Sequence, residues 1–438
     1  MAGSAEILRN AAVKPRKNLE VEENPMNSHI KSVTCLTENF PNGQKICGAA
    51  IEYDCAIDAK KLTDAAYEVV GRRITQVSVQ GNAVVLALDV KDPKASVIPG
   101  PEPFKGKPGG PGGPGGGPGG PAGGPPKGPP KLPEAFRRPR EVSVIQKGDI
   151  CSLKGDIIPG SDEVMVSTTA SEPIIEKFQQ FTFKGLGYNL YIPEHQEDGV
   201  SYPLVVFLHD AGPCGDDTKI TLSQGNGAVS FAAPEWQKEH PCYVLAPQIP
   251  RSVKLTSDNF RTTEEIYTLK AMIDHVSDSY SIDKTRIYAT GQSMGCMAFC
   301  ELNILYPDFF AASLLVAGQW SPERMAEKCV DCKFWILVSN HDERAFPGMN
   351  AVTECMEANG AKVGRYIWNA RSTQEQIDAL TAAAMGDDVN IRYTVFEGSS
   401  VVPEDEDDNP ATNHVCTWPV VYGINGLKQW LFSNQNEA

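Results

Sequence analysis

No stretch of this sequence stays apolar for the roughly 20 residues that a bilayer crossing requires, which excludes a membrane-spanning helix. Basic charge is also scarce: 40 lysines and arginines stand against 55 aspartates and glutamates, a formal net charge of −15. No nucleic-acid partner is expected, because phosphate contacts need clustered cations. The first 27 residues lack the basic start and apolar stretch of a secretory leader. The expected location is cytoplasmic, or extracellular if a leader has been removed. Twelve cysteines are present, yet several sit inside apolar runs such as Pro241-Cys242-Tyr243-Val244-Leu245, where Cys acts as a small hydrophobe. That usage fits a reducing compartment better than a disulfide framework. The lone C-x-x-C, Cys329 and Cys332, lacks a second pair at zinc-binding spacing, so no metal is expected.

What is present divides the chain of 438 residues, which is too long for one ordinary core. Residues 99–133 are mostly glycine and proline, with too few apolar side chains to repay their ordering entropy. They read as a disordered tether. The polar segment 1–27 reads as disordered too. Between and after these, short alternating runs (30–36, 44–53, 74–79, 83–90, 141–146 and 164–167) predict a small β-sandwich over residues 28–175, with the tether as an insert. From about residue 176 to the end the pattern changes. Continuous apolar runs at 204–208, 243–247, 286–290, 312–317, 334–338 and 391–396 alternate with helical stretches at 263–277, 294–305, 351–359, 373–385 and 424–434. Strands of that kind separated by helices predict a mostly parallel sheet covered on both faces, an α/β domain.

The run 286–290 leads directly into Gly291-Gln292-Ser293-Met294-Gly295 and then into a helical stretch. This is the G-x-S-x-G pattern of a nucleophile elbow in its strand–turn–helix setting. Glycines two positions either side make room for a tight turn, and the helix N-terminus favours negative charge at Ser293. An attacking serine needs a general base. Two histidines follow it, His341 and His414, and His414, in the expected loop 411–415, is the stronger candidate. The acid comes from Asp342 or its alternative Glu343, just after the run 334–338. Oxyanion donors are expected from the backbone N–H of Met294 and from Asp210 or Ala211 in the loop after 204–208. Gln292, Trp320 and Trp418 are candidate pocket residues, though both tryptophans suit core packing equally.

Residues 181–432 resemble the α/β-hydrolase esterases that carry an N-terminal immunoglobulin-like domain, relatives of polyhydroxybutyrate-depolymerase-like and feruloyl-esterase-like enzymes. The matching segments are Tyr202-Pro203-Leu204-Val205-Val206-Phe207-Leu208-His209-Asp210-Ala211-Gly212, the elbow, Ala317-Gly318-Gln319-Trp320, Ala345-Phe346-Pro347-Gly348-Met349 and the stretch from His414 to Trp418. The resemblance implies an immunoglobulin-like sandwich in front, a Ser293–Asp342–His414 triad, no metal or organic cofactor, and a small or polymer-derived ester as substrate. Asn340-His341 stands where a glycine is common, which keeps Glu343 open. The run Glu404-Asp405-Glu406-Asp407-Asp408 reads as an acidic insertion. Competing readings are a serine peptidase of prolyl-oligopeptidase type and a non-catalytic binding protein that uses the sandwich. The sandwich would also serve as a lid or as a contact in a homo-oligomer.

Overall fold

The computed structural model describes residues 29–99 and 136–437, so the segment 1–27 and nearly all of the tether lie outside the described residues. In the front region, β1 (Ile30–Phe40) and β2 (Gly43–Tyr53) form a long antiparallel hairpin. They are followed by β3 (Ile74–Gln80) and β4 (Ala83–Leu88). The last two pair Gln80 with Ala83 across Gly81-Asn82, and Gly81 takes the φ of +63° that this two-residue turn needs. Thr169–Ser171 completes a five-stranded sheet in the order Thr169–Ser171, β1, β2, β4, β3. A three-stranded sheet of Tyr67–Val69, Ser143–Gln146 and Met165–Val166 lies opposite. Alternating positions supply the core between them, including Val33, Cys35, Ile51, Leu86 and Val144. This is an immunoglobulin-like sandwich.

The larger region is an α/β-hydrolase fold. Its strands are β5 (Gln179–Phe183), β6 (Leu186–Tyr191), β7 (Tyr202–Leu208), β8 (Tyr243–Gln248), β9 (Ile282–Gln292), β10 (Ala312–Val316), β11 (Phe334–Ser339), β12 (Val363–Trp368) and β13 (Ile391–Phe396). They form one nine-stranded sheet in the order β5-β6-β8-β7-β9-β10-β11-β13-β12. The pairs β5/β6 and β6/β8 are antiparallel and the rest are parallel. The principal helices are α1 (Glu265–Ser279), α2 (Met294–Leu305), α3 (Ala345–Ala358), α4 (Gln374–Gly386), α5 (Pro410–Gly423) and α6 (Asn425–Phe432). Every residue of β7, β8, β10 and β11 is buried, which is why these strands read as unbroken apolar runs.

One local expectation needs correction, and one strand lies outside the runs that the sequence marks. The segment around His414 is not a loop but the second turn of α5. Asn409 caps that helix through the N–H groups of Ala411 and Thr412, and Pro410 occupies its first turn. Proline at the first position of a helix costs it nothing, because its missing N–H would have no partner there. Strand β12 is not among those runs. It is an edge strand, with Ile367 73% exposed, so only one side of it is disciplined by a core.

Candidate active site

Ser293 stands where β9 ends and α2 begins, at the carboxyl edge of the parallel strands. Its backbone adopts φ 50° and ψ −113°. A non-glycine residue held there costs about 1–3 kcal/mol and marks a turn the surrounding fold must enforce. The flanking glycines show how. A Cβ on Gly291 would fall 2.7 Å from the Gly295 carbonyl carbon, and one on Gly295 would fall 2.0 Å from the Leu208 carbonyl oxygen. No other residue fits at either place. The turn brings α2 against β7, and as the first residue of α2, Met294 has an N–H that the helix cannot use.

Three candidate residues meet here. The Ser293 Oγ lies 2.9 Å from His414 Nε2, and His414 Nδ1 lies 2.5 Å from Asp342 Oδ2. Asp342 is buried, with the backbone N–H groups of Arg344 (3.0 Å) and Ala345 (2.9 Å) donating to its other oxygen. Burial pushes its carboxyl pKa up, but the His414 hydrogen bond and charge, with those two N–H donors, outweigh it and leave the pKa below the ordinary value. With an ionised carboxylate at Nδ1, the imidazole carries its proton there and leaves Nε2 free to accept from the serine hydroxyl. Glu343 is exposed, and the structure does not bring it to His414. His341 is also exposed, 3.3 Å from Ser399 Oγ and 4.0 Å from Asp408. Behind the imidazole, Asn413 is fixed by Ser339 Oγ (2.9 Å) and by Asp408 Oδ1 (2.8 Å).

The loop after β7 faces the same point. His209 is fully buried. Its Nε2 accepts from the Ile249 N–H at 2.9 Å, and its Nδ1 meets the Asp210 carbonyl at 2.6 Å. Burial lowers its pKa, so the ring is a neutral staple for the loop. Asp210 receives the Gly212 N–H (3.0 Å) and the Gln292 side chain (2.9 Å), and Gln292 also reaches Gln224 at 3.2 Å. Ala211 is exposed.

A cavity of about 180 Å³ opens beside this cluster, lined among others by Gln292, Val415 and Trp418, and by Gln224, Asn226 and Glu406. The Trp418 ring packs against His414 with centroids 5.5 Å apart, and its indole N–H is buried with no acceptor among the described residues. The expectation for Trp320 is corrected. It is fully buried, donates to Glu301 at 3.0 Å and packs on Phe260, and it does not line this cavity. Pro41 and Asn42 of the front sandwich also line the cavity. Nothing in the residues themselves signalled them.

Residues 32–159 match the model of the esterase Ig-like N-terminal domain. A thermostable esterase of known crystal structure is similar across 93% of this chain and 100% of its own, at a TM-score of 0.73 and 26% sequence identity. The chain has the architecture of an α/β-hydrolase esterase with an immunoglobulin-like front domain. A curated relative, poly(3-hydroxyalkanoate) depolymerase C of Paucimonas lemoignei, is 25% identical over 232 residues, which are 50% of this chain and 51% of that protein. The chain therefore spans about half the length of that relative.

Proposed function

We propose that this α/β-hydrolase cleaves carboxylic esters through an acyl-enzyme formed on Ser293. The observation that carries the reading is the unbroken hydrogen-bonded series Asp342–His414–Ser293, ending on a strained turn beside a cavity. Ser293 Oγ attacks the ester carbonyl while His414 Nε2 takes its proton. Asp342 holds the imidazole in the accepting tautomer and stabilises the imidazolium. The charge that develops on the carbonyl oxygen is met by the Met294 N–H and by a backbone N–H from Asp210 or Ala211. The intermediate collapses as His414 returns the proton to the departing alkoxide. Water then enters by the same base catalysis and releases the acid. No step in this sequence calls for a metal or an organic cofactor.

Hydrolysis of p-nitrophenyl butyrate by the wild type and by Ser293→Ala tests the reading. The variant is expected to lose at least about 10³-fold in kcat with its fold intact. Equal rates in the two proteins would remove Ser293 from the chemistry.

A further inference from the structure

The β1–β2 hairpin of the front sandwich ends at the cavity beside Gln292. Its two-residue turn, Pro41-Asn42, lines the cavity together with Gln292 and Trp418. The contact is one of backbone against backbone. Gly43 has a φ of +115°, and a Cβ there would lie 3.3 Å from the Ser223 carbonyl oxygen and 3.4 Å from that of Gln224. A Cβ on Gly225 would meet the Pro41 carbonyl oxygen at 3.1 Å. Just before the turn, Asn39 donates its side-chain N–H to the Leu222 carbonyl at 2.9 Å.

The strand that leaves the turn is anchored as well. Buried Glu172 accepts from Gln44 at 2.8 Å, pairs with Arg137, and has Lys219 at 3.9 Å, just ahead of the segment that carries Gln224. On the far side, Lys91 of the sandwich pairs with Asp405 at 3.2 Å, and the next residue, Glu406, is itself a lining residue. The sandwich thus contacts the catalytic region both at Leu222 and, through an exposed ion pair, next to Glu406. The cavity's volume, about 180 Å³, is below the range of about 300–1,000 Å³ that suits drug-sized ligands.

We propose that the Pro41-Asn42 turn is part of the substrate pocket, and that Asn42 is a specificity-determining residue which restricts the group held beside Ser293 to a short chain. This rests on the serine-hydrolase reading above and deepens it. The front domain then defines which esters are accepted, and is not only an attachment to the catalytic fold. The side chain of Asn42 is exposed and makes no contribution to the sandwich core, so it can be changed without disturbing either fold.

The test uses the full chain and two ester series. One keeps p-nitrophenol and lengthens the acyl group from acetate to octanoate. The other keeps acetate and lengthens the alcohol over the same range. Asn42→Trp is expected to cut kcat/KM for the longer members of one series by about tenfold or more relative to the shortest ester, mainly through KM. Asn42→Gly is expected to raise the longer members by a similar factor. The series that responds identifies the cavity as the acyl or the alkoxy subsite. An equal fall for every ester, or no change in either series, would overturn the proposal. If the wild type turns over no ester yet alkyl fluorophosphonates label Ser293, labelling rates across the same chain lengths judge Asn42 by the same criterion. Failure of Ser293 to label at all would remove the hydrolase reading and this proposal with it.

Discussion

Asp342 and Glu343 are neighbours of equal chemistry, and burial separates their roles. Asp342 is buried with His414 and two backbone N–H groups around its oxygens, whereas Glu343 faces solvent. Asp342→Asn is expected to lower kcat by about 10³–10⁴-fold, because an amide in that place no longer fixes the accepting tautomer. Glu343→Gln should stay within about twofold, as an exposed substitution remote from the imidazole. Steady-state kinetics on one short ester decide the matter, and the reverse pattern would move the acid to Glu343. Much of the cluster was legible at this scale. Ser293 is marked by its own neighbours, since Gly291 and Gly295 are dictated by contacts within a few residues and with β7. The ambiguity between Asp342 and Glu343 was not resolvable, because it turns on which carboxylate the start of α3 tucks inward. Trp320 was equally opaque: an aromatic residue beside Gly318 reads the same whether it lines a pocket or fills the space beside Glu301.

At the scale of elements, α6 shows a cost the fold carries. It lays Leu427, Trp430 and Leu431 inward, and with them Lys428, which is buried. The ammonium sits 4.6 Å from the Trp236 ring centroid and 3.4 Å from the Ser230 carbonyl oxygen. Burial lowers its pKa from the ordinary 10.5 to about 8. Below pH 8 the charged amine is buried at full cost. Between about pH 8 and 10.5 the unfolded chain binds the proton more readily than the native one, so stability rises with pH across that window. Lys428→Met is expected to be more stable at pH 7 by about 1–2 kcal/mol, with the advantage shrinking as pH rises from 8 to above 10.5. Denaturant titrations at pH 7 and pH 10 measure it, and a loss of stability equal at both values would assign Lys428 a packing role alone. Element type was mostly readable, because the buried strands are continuous apolar runs and α2 follows the elbow. The departures have local causes: Pro410 and the Asn409 cap start α5 over the residues read as the loop 411–415, and β12, outside the runs read as strands, lies at the sheet edge.

For the molecule as a whole, the sequence separates a sandwich from an α/β sheet but is silent on how they meet. The β1–β2 turn lies some 250 residues before Ser293 in the chain, and neither Pro41 nor Asn42 carries a chemistry that would single it out. Only the docking of the hairpin against the 222–226 segment brings them to the cavity. The acidic insertion is in the same position. As sequence it is a solvated run, but in the fold Asp405 and Asp408 tie it to the sandwich and to Asn413, and Glu406 faces the cavity. On the proposed reading, this assembly makes Ser293, and no other hydroxyl, an activated nucleophile. The most direct measurement is to treat the full chain with a fluorophosphonate and locate the adduct by peptide mass spectrometry, beside Ser293→Ala and His414→Ala. One stoichiometric adduct on Ser293 is expected, none in Ser293→Ala, and labelling slowed by at least about 10²-fold in His414→Ala. An unlabelled Ser293, or a rate indifferent to His414, would contradict that reading.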